Sequence, residues 1–196
     1  MNRKSVCRIL LVLACVVSPA HSLAQPAASD PWYGRQAKPK DFDAAKEFTG
    51  AFSIELPKGW QLGSGHMEAL FLLTQRTKNW DAGAVITLEQ IRLQLPLDPA
   101  IMTAVGDREM REAQARDSTG KQFSNVVKNG EHGPVILVQY DRTGMTGTTD
   151  HVAQYSMPIG TTMYRLICIA PAGQIDKYRP IFAHVAASFT PLKAGS

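Results

Sequence analysis

The side chains best suited to chemistry in this sequence are its histidines, and their spacing argues against a compact metal site. None of those beyond residue 24 has a second histidine at i+2, i+3 or i+4 with which to share a metal ion. They are His66, His132, His151 and His184. His66 and His132 fall in glycine-containing turns, and His184 flanks the apolar stripe of a predicted helix. We interpret all four as surface histidines or as histidines satisfied by their neighbours.

Sequence motifs for hydrolase, zinc and phosphate chemistry are missing. The chain contains no G-x-S-x-G, no H-E-x-x-H and no C-x-x-C. Residues 118–121 (STGK) resemble part of a phosphate loop, but Ala115 stands where its first glycine belongs and Gln122 replaces the final Ser or Thr. We therefore predict no catalytic, cofactor or metal-binding residues. A hydrolase with a dispersed site, built from His66 or His151 with a carboxylate, is kept as an alternative.

The cysteines predict neither a disulfide framework nor a nucleophile. Cys7 and Cys15 lie in the first 24 residues, which leaves Cys168 within the apolar run YRLICIA. A single cysteine in a strand-like apolar run is typical of a buried structural thiol. We expect the domain to be stabilised by its core alone.

The first 24 residues have the layout of a secretory signal peptide. A basic segment precedes nine apolar residues at 9–17, and small residues stand at −3 and −1 of a cleavage site between Ala24 and Gln25. The apolar run is well short of the ~20 residues that span a bilayer, so we expect no transmembrane anchor after cleavage. Lipidation at Cys15 is disfavoured, because the apolar stretch before Cys15 is very short. The sequence predicts a periplasmic or secreted protein.

The charge of the chain argues against nucleic-acid binding. The 196 residues carry a net charge of +4 and a pI near 9.0. Without the first 24 residues, which hold three basic residues and no acidic one, 18 basic and 17 acidic residues remain, so the charge falls to +1. A nearly neutral domain favours specific surface contacts over electrostatic capture of polyanions.

The remaining chain is predicted to form one α/β domain at 42–192, between a flexible leader at 25–41 and a tail at 193–196. Alternating apolar residues predict strands, and apolar stripes with helical spacing predict two helices. Strands are expected at 52–56, 68–76, 84–95, 122–128, 135–141, 150–157 and 163–170, and helices from Asp98 and Asp176. The expected order is β-β-β-α-β-β-β-β-α.

Details of the pattern refine this expectation. The third strand changes apolar parity between Leu88 and Ile91, which suggests a β-bulge near Glu89 and Gln90. Strands 135–141 and 163–170 are apolar on both parities, so they belong in a sheet covered on both faces, whereas 150–157 is more polar. The first helix carries i,i+4 ion pairs beyond its apolar start, which indicates a solvated helix face.

Two loops are candidate contact surfaces for a partner. Trp80 and Asp81 lie in a polar turn, where an exposed tryptophan would be a binding anchor. Met145 lies in a glycine- and threonine-rich hairpin tip. The alternatives are that Trp80 packs over a sheet edge and that the Met145 tip is an ordinary exposed turn.

Three sequence segments together resemble the PsbP-like family, which includes the DcrB-type bacterial envelope proteins. They are FSIELPKGW at 52–60, YRLIC at 164–168 and ASF at 187–189, and the order of elements agrees over roughly 42–192. The resemblance implies an α/β/α sandwich around an antiparallel sheet. It also implies a non-enzymatic accessory role, with no catalytic residues or metal contacts to transfer.

These observations favour an exported, non-enzymatic protein-interaction module of the bacterial envelope. It would support assembly or neutralise a partner protein, and it would need no cofactor. A periplasmic protein that binds a small ligand or a lipid is the main alternative, and this alternative requires an apolar cavity between the sheet and a helix.

Overall fold

A computed structural model describes residues 39–49, 51–64, 69–75, 83–144 and 147–192, all within one compact unit that spans residues 31–196. No helix within the described ranges is long and apolar enough to cross a membrane.

Ten strands and two α-helices make up the described chain. After a 3-10 turn at Pro39–Asp41, the first strands are β1 (Lys46–Phe48), β2 (Phe52–Ile54), β3 (Trp60–Ser64), β4 (Ala69–Gln75) and β5 (Val85–Arg92). Helix α1 (Met102–Arg116) follows a 3-10 turn at Pro99–Ile101. The later elements are β6 (Lys121–Gly130), β7 (Gly133–Thr143), β8 (Thr149–Ile159), β9 (Thr162–Pro171), a 3-10 turn at Ala172–Gln174, α2 (Ile175–Ala187) and β10 (Thr190–Pro191).

A seven-stranded antiparallel sheet in the order β3-β4-β5-β9-β8-β7-β6 forms the centre of the domain. One face, here called the α1 face, packs against α1 over β6 and β7. The other face, the α2 face, is covered by α2 and by a small antiparallel sheet in the order β1-β2-β10. The predicted α/β architecture, an antiparallel sheet flanked by helices, is confirmed.

The α2 face holds the larger apolar core. Strand pairing places one row of buried side chains across five neighbouring strands: Phe71, Leu88, Leu166, Tyr155 and Leu137. Helix α2 buries Tyr178, Phe182 and Val185 against this face. The small sheet packs on it through Phe52, which has no exposed surface and stacks on Phe189 with ring centroids 5.0 Å apart.

The α1 face holds a smaller core and an ionic cluster. Its apolar part joins Met102 and Ala113 of α1 to buried side chains of the sheet, namely Ile136, Val138, Tyr140 and Val152. Gly106 allows close contact, because a Cβ atom there would lie 3.1 Å from Cγ2 of Ile136. The helix therefore packs close to the sheet.

The carboxylate of Glu109 is buried between α1 and the sheet. It accepts hydrogen bonds from Gln154 Nε2 at 3.1 Å, Ser156 Oγ at 2.5 Å and Arg165 Nη2 at 3.0 Å. Arg165 Nη1 lies 3.6 Å from the Glu89 carboxylate. These residues are referred to below as the Glu109 cluster.

Three expectations from the sequence were wrong in detail. Strand β5 pairs with β9 without interruption, and the register shift lies in β4 between Ala69 and Phe71, so no bulge occurs at Glu89 and Gln90. Strand β8 is mostly buried despite its polar residues. The charged face of α1 is not wholly solvated, since Glu109 is buried whereas the Arg108–Glu112 pair is exposed as expected.

Replacing Glu109 with alanine should destabilise the domain by about 3–5 kcal/mol, because Arg165 would lose its nearest carboxylate inside the protein. The exposed Glu112 on the same helix provides a matched control. Its replacement with alanine should cost about 0.5 kcal/mol or less. Urea unfolding of the two variants and the parent measures the difference. Equal stability losses would contradict the assignment of Glu109 as a buried ionic anchor.

Candidate functional site

A groove between α2 and the β6–β7 hairpin is the best-formed candidate site in the described chain. One wall is the helix surface formed by Ala183, Ala186 and Ala187, and the other is the hairpin segment 128–135. The side chains of Leu137, Tyr155, Met157 and Phe189 form its floor, and Pro158 and Ile159 close one end. The groove lies on the α2 face, over the part of β7 and β8 that α2 leaves uncovered.

Local sequence explains the shape of both walls. Positions 183, 186 and 187 share one side of α2, as i, i+3 and i+4 positions do in a helix. Alanine at all three leaves space that larger side chains would fill. On the other wall, a two-residue turn joins Gly130 to Gly133, and Gly133 has a φ of +125°, a value that favours glycine.

The chemistry of the groove is apolar within and polar at its mouth. Its floor residues are buried, whereas Asn129, Glu131 and His132 at the rim are exposed. The volume is about 240 Å³. This is below the ~300–1,000 Å³ of typical small-molecule pockets, so the groove suits one or two large apolar side chains or a short apolar chain better than a large cofactor.

The described histidines on the sheet and on α2 have protein partners. His151 Nδ1 lies 2.7 Å from Asp141 Oδ1, and its Nε2 lies 3.4 Å from Gln139 Oε1. His184 Nε2 lies 2.7 Å from Glu55 Oε2, and its ring stacks on Phe42 with centroids 3.8 Å apart. Each histidine therefore joins two segments of the fold, and His184 attaches the N-terminal part of the described chain to α2.

Neither the Glu109 cluster nor the metal-binding side chains form a reactive centre in the described chain. Ser156 and Glu109 are adjacent, yet their exposed fractions are 0% and 2%, so no substrate reaches them in this conformation. Within the same residues, no three His, Cys, Asp or Glu side chains gather closely enough to hold a metal ion.

The residues that the sequence suggested as contact or processing sites lie outside the described ranges. Trp80, Asp81, Met145, Ala24 and Gln25 all fall there, as does His66. Their roles stay predictions. Of the groove residues, sequence reasoning singled out only His132, and as an ordinary turn histidine. The hairpin and the helix that form the groove are some 50 residues apart in the sequence.

Comparison with solved structures assigns the fold. The protein is similar to cyanobacterial PsbP (CyanoP) from Synechocystis sp. PCC 6803, with 12% identity and a TM-score of 0.58 over 77% of this chain and 92% of that one. It is also similar to PA94 from Pseudomonas aeruginosa, a protein of unknown function, with 13% identity and a TM-score of 0.52 over 76% and 96% of the two chains.

A third similar structure is LpqN of Mycobacterium tuberculosis, described as involved in cell envelope biogenesis. The identity is 12% and the TM-score 0.51, over 72% of this chain and 83% of that one. No protein-family model and no curated protein matches the sequence. At these identities the similarity shows the fold, and the chain has a PsbP-like α/β fold.

The thiol of Cys168 should resist alkylation in the native protein. Cys168 has no exposed surface, and burial raises the pKa of its thiol well above the ordinary value, so the reactive thiolate is suppressed. Iodoacetamide followed by peptide mass spectrometry should label Cys168 only after denaturant is added. Labelling of the native protein at the rate of a free thiol would contradict this burial.

Proposed function

We propose that this protein is an exported, non-enzymatic interaction module of the bacterial envelope, and that the groove between α2 and the β6–β7 hairpin receives an apolar side chain of a protein partner. The partner would be an assembly component or a protein that this module neutralises. Export rests on the signal-like sequence at 1–24, and kinship to the DcrB-type envelope proteins belongs to the same proposal.

The groove carries this proposal. It combines a buried apolar floor of Leu137, Tyr155 and Met157 with a solvent-exposed polar rim, the arrangement found at protein interfaces where one anchor is desolvated and its surroundings stay wet. The small volume suits a side-chain anchor. The described chain offers no catalytic constellation beside the groove, since the floor holds one tyrosine and otherwise apolar side chains.

Filling the groove should abolish partner binding without disturbing the core. Ala187 is exposed and lines the groove, so Ala187→Trp places an indole in the space that the partner would use. Affinity capture from envelope extracts under gentle crosslinking, with quantitative mass spectrometry, should show at least a ~10-fold loss of the captured partner, as expected for a hot-spot contact of ≥ ~1.4 kcal/mol.

Ala104→Trp is the matched control, because Ala104 is an exposed alanine on α1, on the opposite face of the sheet. This variant should capture the partner as the parent does. Recovery of no protein by the parent, or equal recovery by the parent and Ala187→Trp, would overturn the proposal.

A small apolar ligand, such as a short acyl chain, is the second candidate for the same groove. The apolar floor and the enclosed end at Pro158 and Ile159 favour it. In that case native mass spectrometry of the purified protein should show a bound mass that disappears in Ala187→Trp and persists in Ala104→Trp. A clean apo mass for the parent would exclude a tightly held ligand and leave the protein partner as the occupant.

A further inference from the structure

The outer edge of β6 is an open strand edge. Strand β6 ends the large sheet, has ten residues and pairs only with β7 among the described strands. Seven of its ten residues are exposed, so no part of the chain covers this edge. An uncovered edge presents unpaired N–H and C=O groups that can accept another strand.

Strand β6 also exposes apolar surface. Val126 and Val127 are 44% and 37% exposed, and they are two of the five exposed large apolar side chains in the described residues. Because they are consecutive, they lie on opposite faces of the sheet. A strand added beside β6 would cover both valines at once.

The protections common on edge strands are weak in the centre of β6. The strand contains no proline, and its charged residues are Lys121 and Lys128. A register shift between Lys121 and Ser124, with a φ of +56° at Gln122, interrupts the pairing near the start of the strand. The regular segment is therefore Ser124–Gly130, which is centred on Val127.

We propose that a second copy of this chain pairs with this segment, β6 against β6 in antiparallel orientation, about a twofold axis at Val127. A twofold perpendicular to the sheet keeps the two α1 faces on the same side, so residues whose numbers sum to 254 lie opposite each other. Val127 then meets its own copy, and Asn125 meets Asn129 of the copy. The result is a continuous sheet of fourteen strands, twice the seven of one protomer.

Charge complementarity favours a second copy as the occupant. In this register Lys128 lies opposite Val126 of the other copy, where its methylene stem can cover the valine while the ammonium stays in water. Ser124 meets Gly130, and Lys121 lies outside the paired segment. No lysine directly faces a lysine, the pairing that would be destabilising.

The same register also matches the backbone. Alternate residues of an antiparallel strand direct their N–H and C=O groups toward the same side. Because opposed residues have the same parity, the outward-directed set of one copy meets the outward-directed set of the other. The segment is thus complementary to itself in backbone, side-chain and charge terms.

The oligomeric state of the full chain, expressed in a host that exports it and purified in its processed form, tests the proposal. Light scattering after size exclusion at about 100 µM should give twice the protomer mass, since a small interface of this kind binds in the micromolar range. Val127→Lys places two ammonium groups on the twofold and should give the monomer mass. Leu62→Lys, at the 41%-exposed position of the opposite edge strand β3, should leave the dimer intact.

Cysteine crosslinking provides a readout that does not depend on a charge change. Val127→Cys should form a covalent dimer on mild oxidation, whereas Leu62→Cys should not exceed the parent protein. A monomer mass for the parent at this concentration, or equal crosslinking at positions 127 and 62, would overturn the proposal. Ala187→Trp should keep the dimer mass, which separates this inference from the groove.

Discussion

The carboxylate of Glu109 lies inside the protein, and the seating of α1 on the sheet depends on how it is satisfied. Three donors converge on it from neighbouring strands: Gln154 and Ser156 of β8 and Arg165 of β9. A sheet register shifted by one residue would turn these donors to the α2 face. A helix placed one turn away would leave both the carboxylate and Arg165 without their partner. The ionic contact therefore links the position of α1 to the register of the strands.

The two faces of the sheet use different physics, and the groove follows from that difference. On the α1 face, close approach at Gly106 and a few directional bonds locate the helix. On the α2 face, large aromatic and aliphatic side chains make a broad apolar core, in which Phe52, Tyr178 and Phe182 are almost completely buried. Helix α2 uses its large residues for this core and leaves its alanines over β7 and β8. The space beside those alanines becomes the groove.

Much of the fold could be predicted from the sequence, because the long strands and α2 carry strong periodic patterns. The cluster around Glu109 could not, since an acidic residue among i,i+4 ion pairs gives no sign that its side chain points inward. Strand β8 was taken as partly solvated for the same reason: Gln154 and Ser156 are polar, yet their partner comes from a distant helix. The groove was out of reach because its walls meet only in three dimensions. The signal-like segment and the candidate loops at Trp80 and Met145 lie outside the described residues.

The small sheet has a consequence for how the chain reaches its native state. Its central strand β2 pairs with β1 on one side and with β10, the last described strand, on the other. The N–H of Glu55 is held by the hydroxyl of Ser188, 133 residues further along the chain. Such contacts close a very long loop, and they form only after nearly the whole chain is available. A nascent chain that has not yet released its last residues therefore lacks one neighbour of β2 and the aromatic packing of Phe52 on Phe189. Until then the polypeptide stays incompletely folded, the condition that threading through a narrow export channel requires.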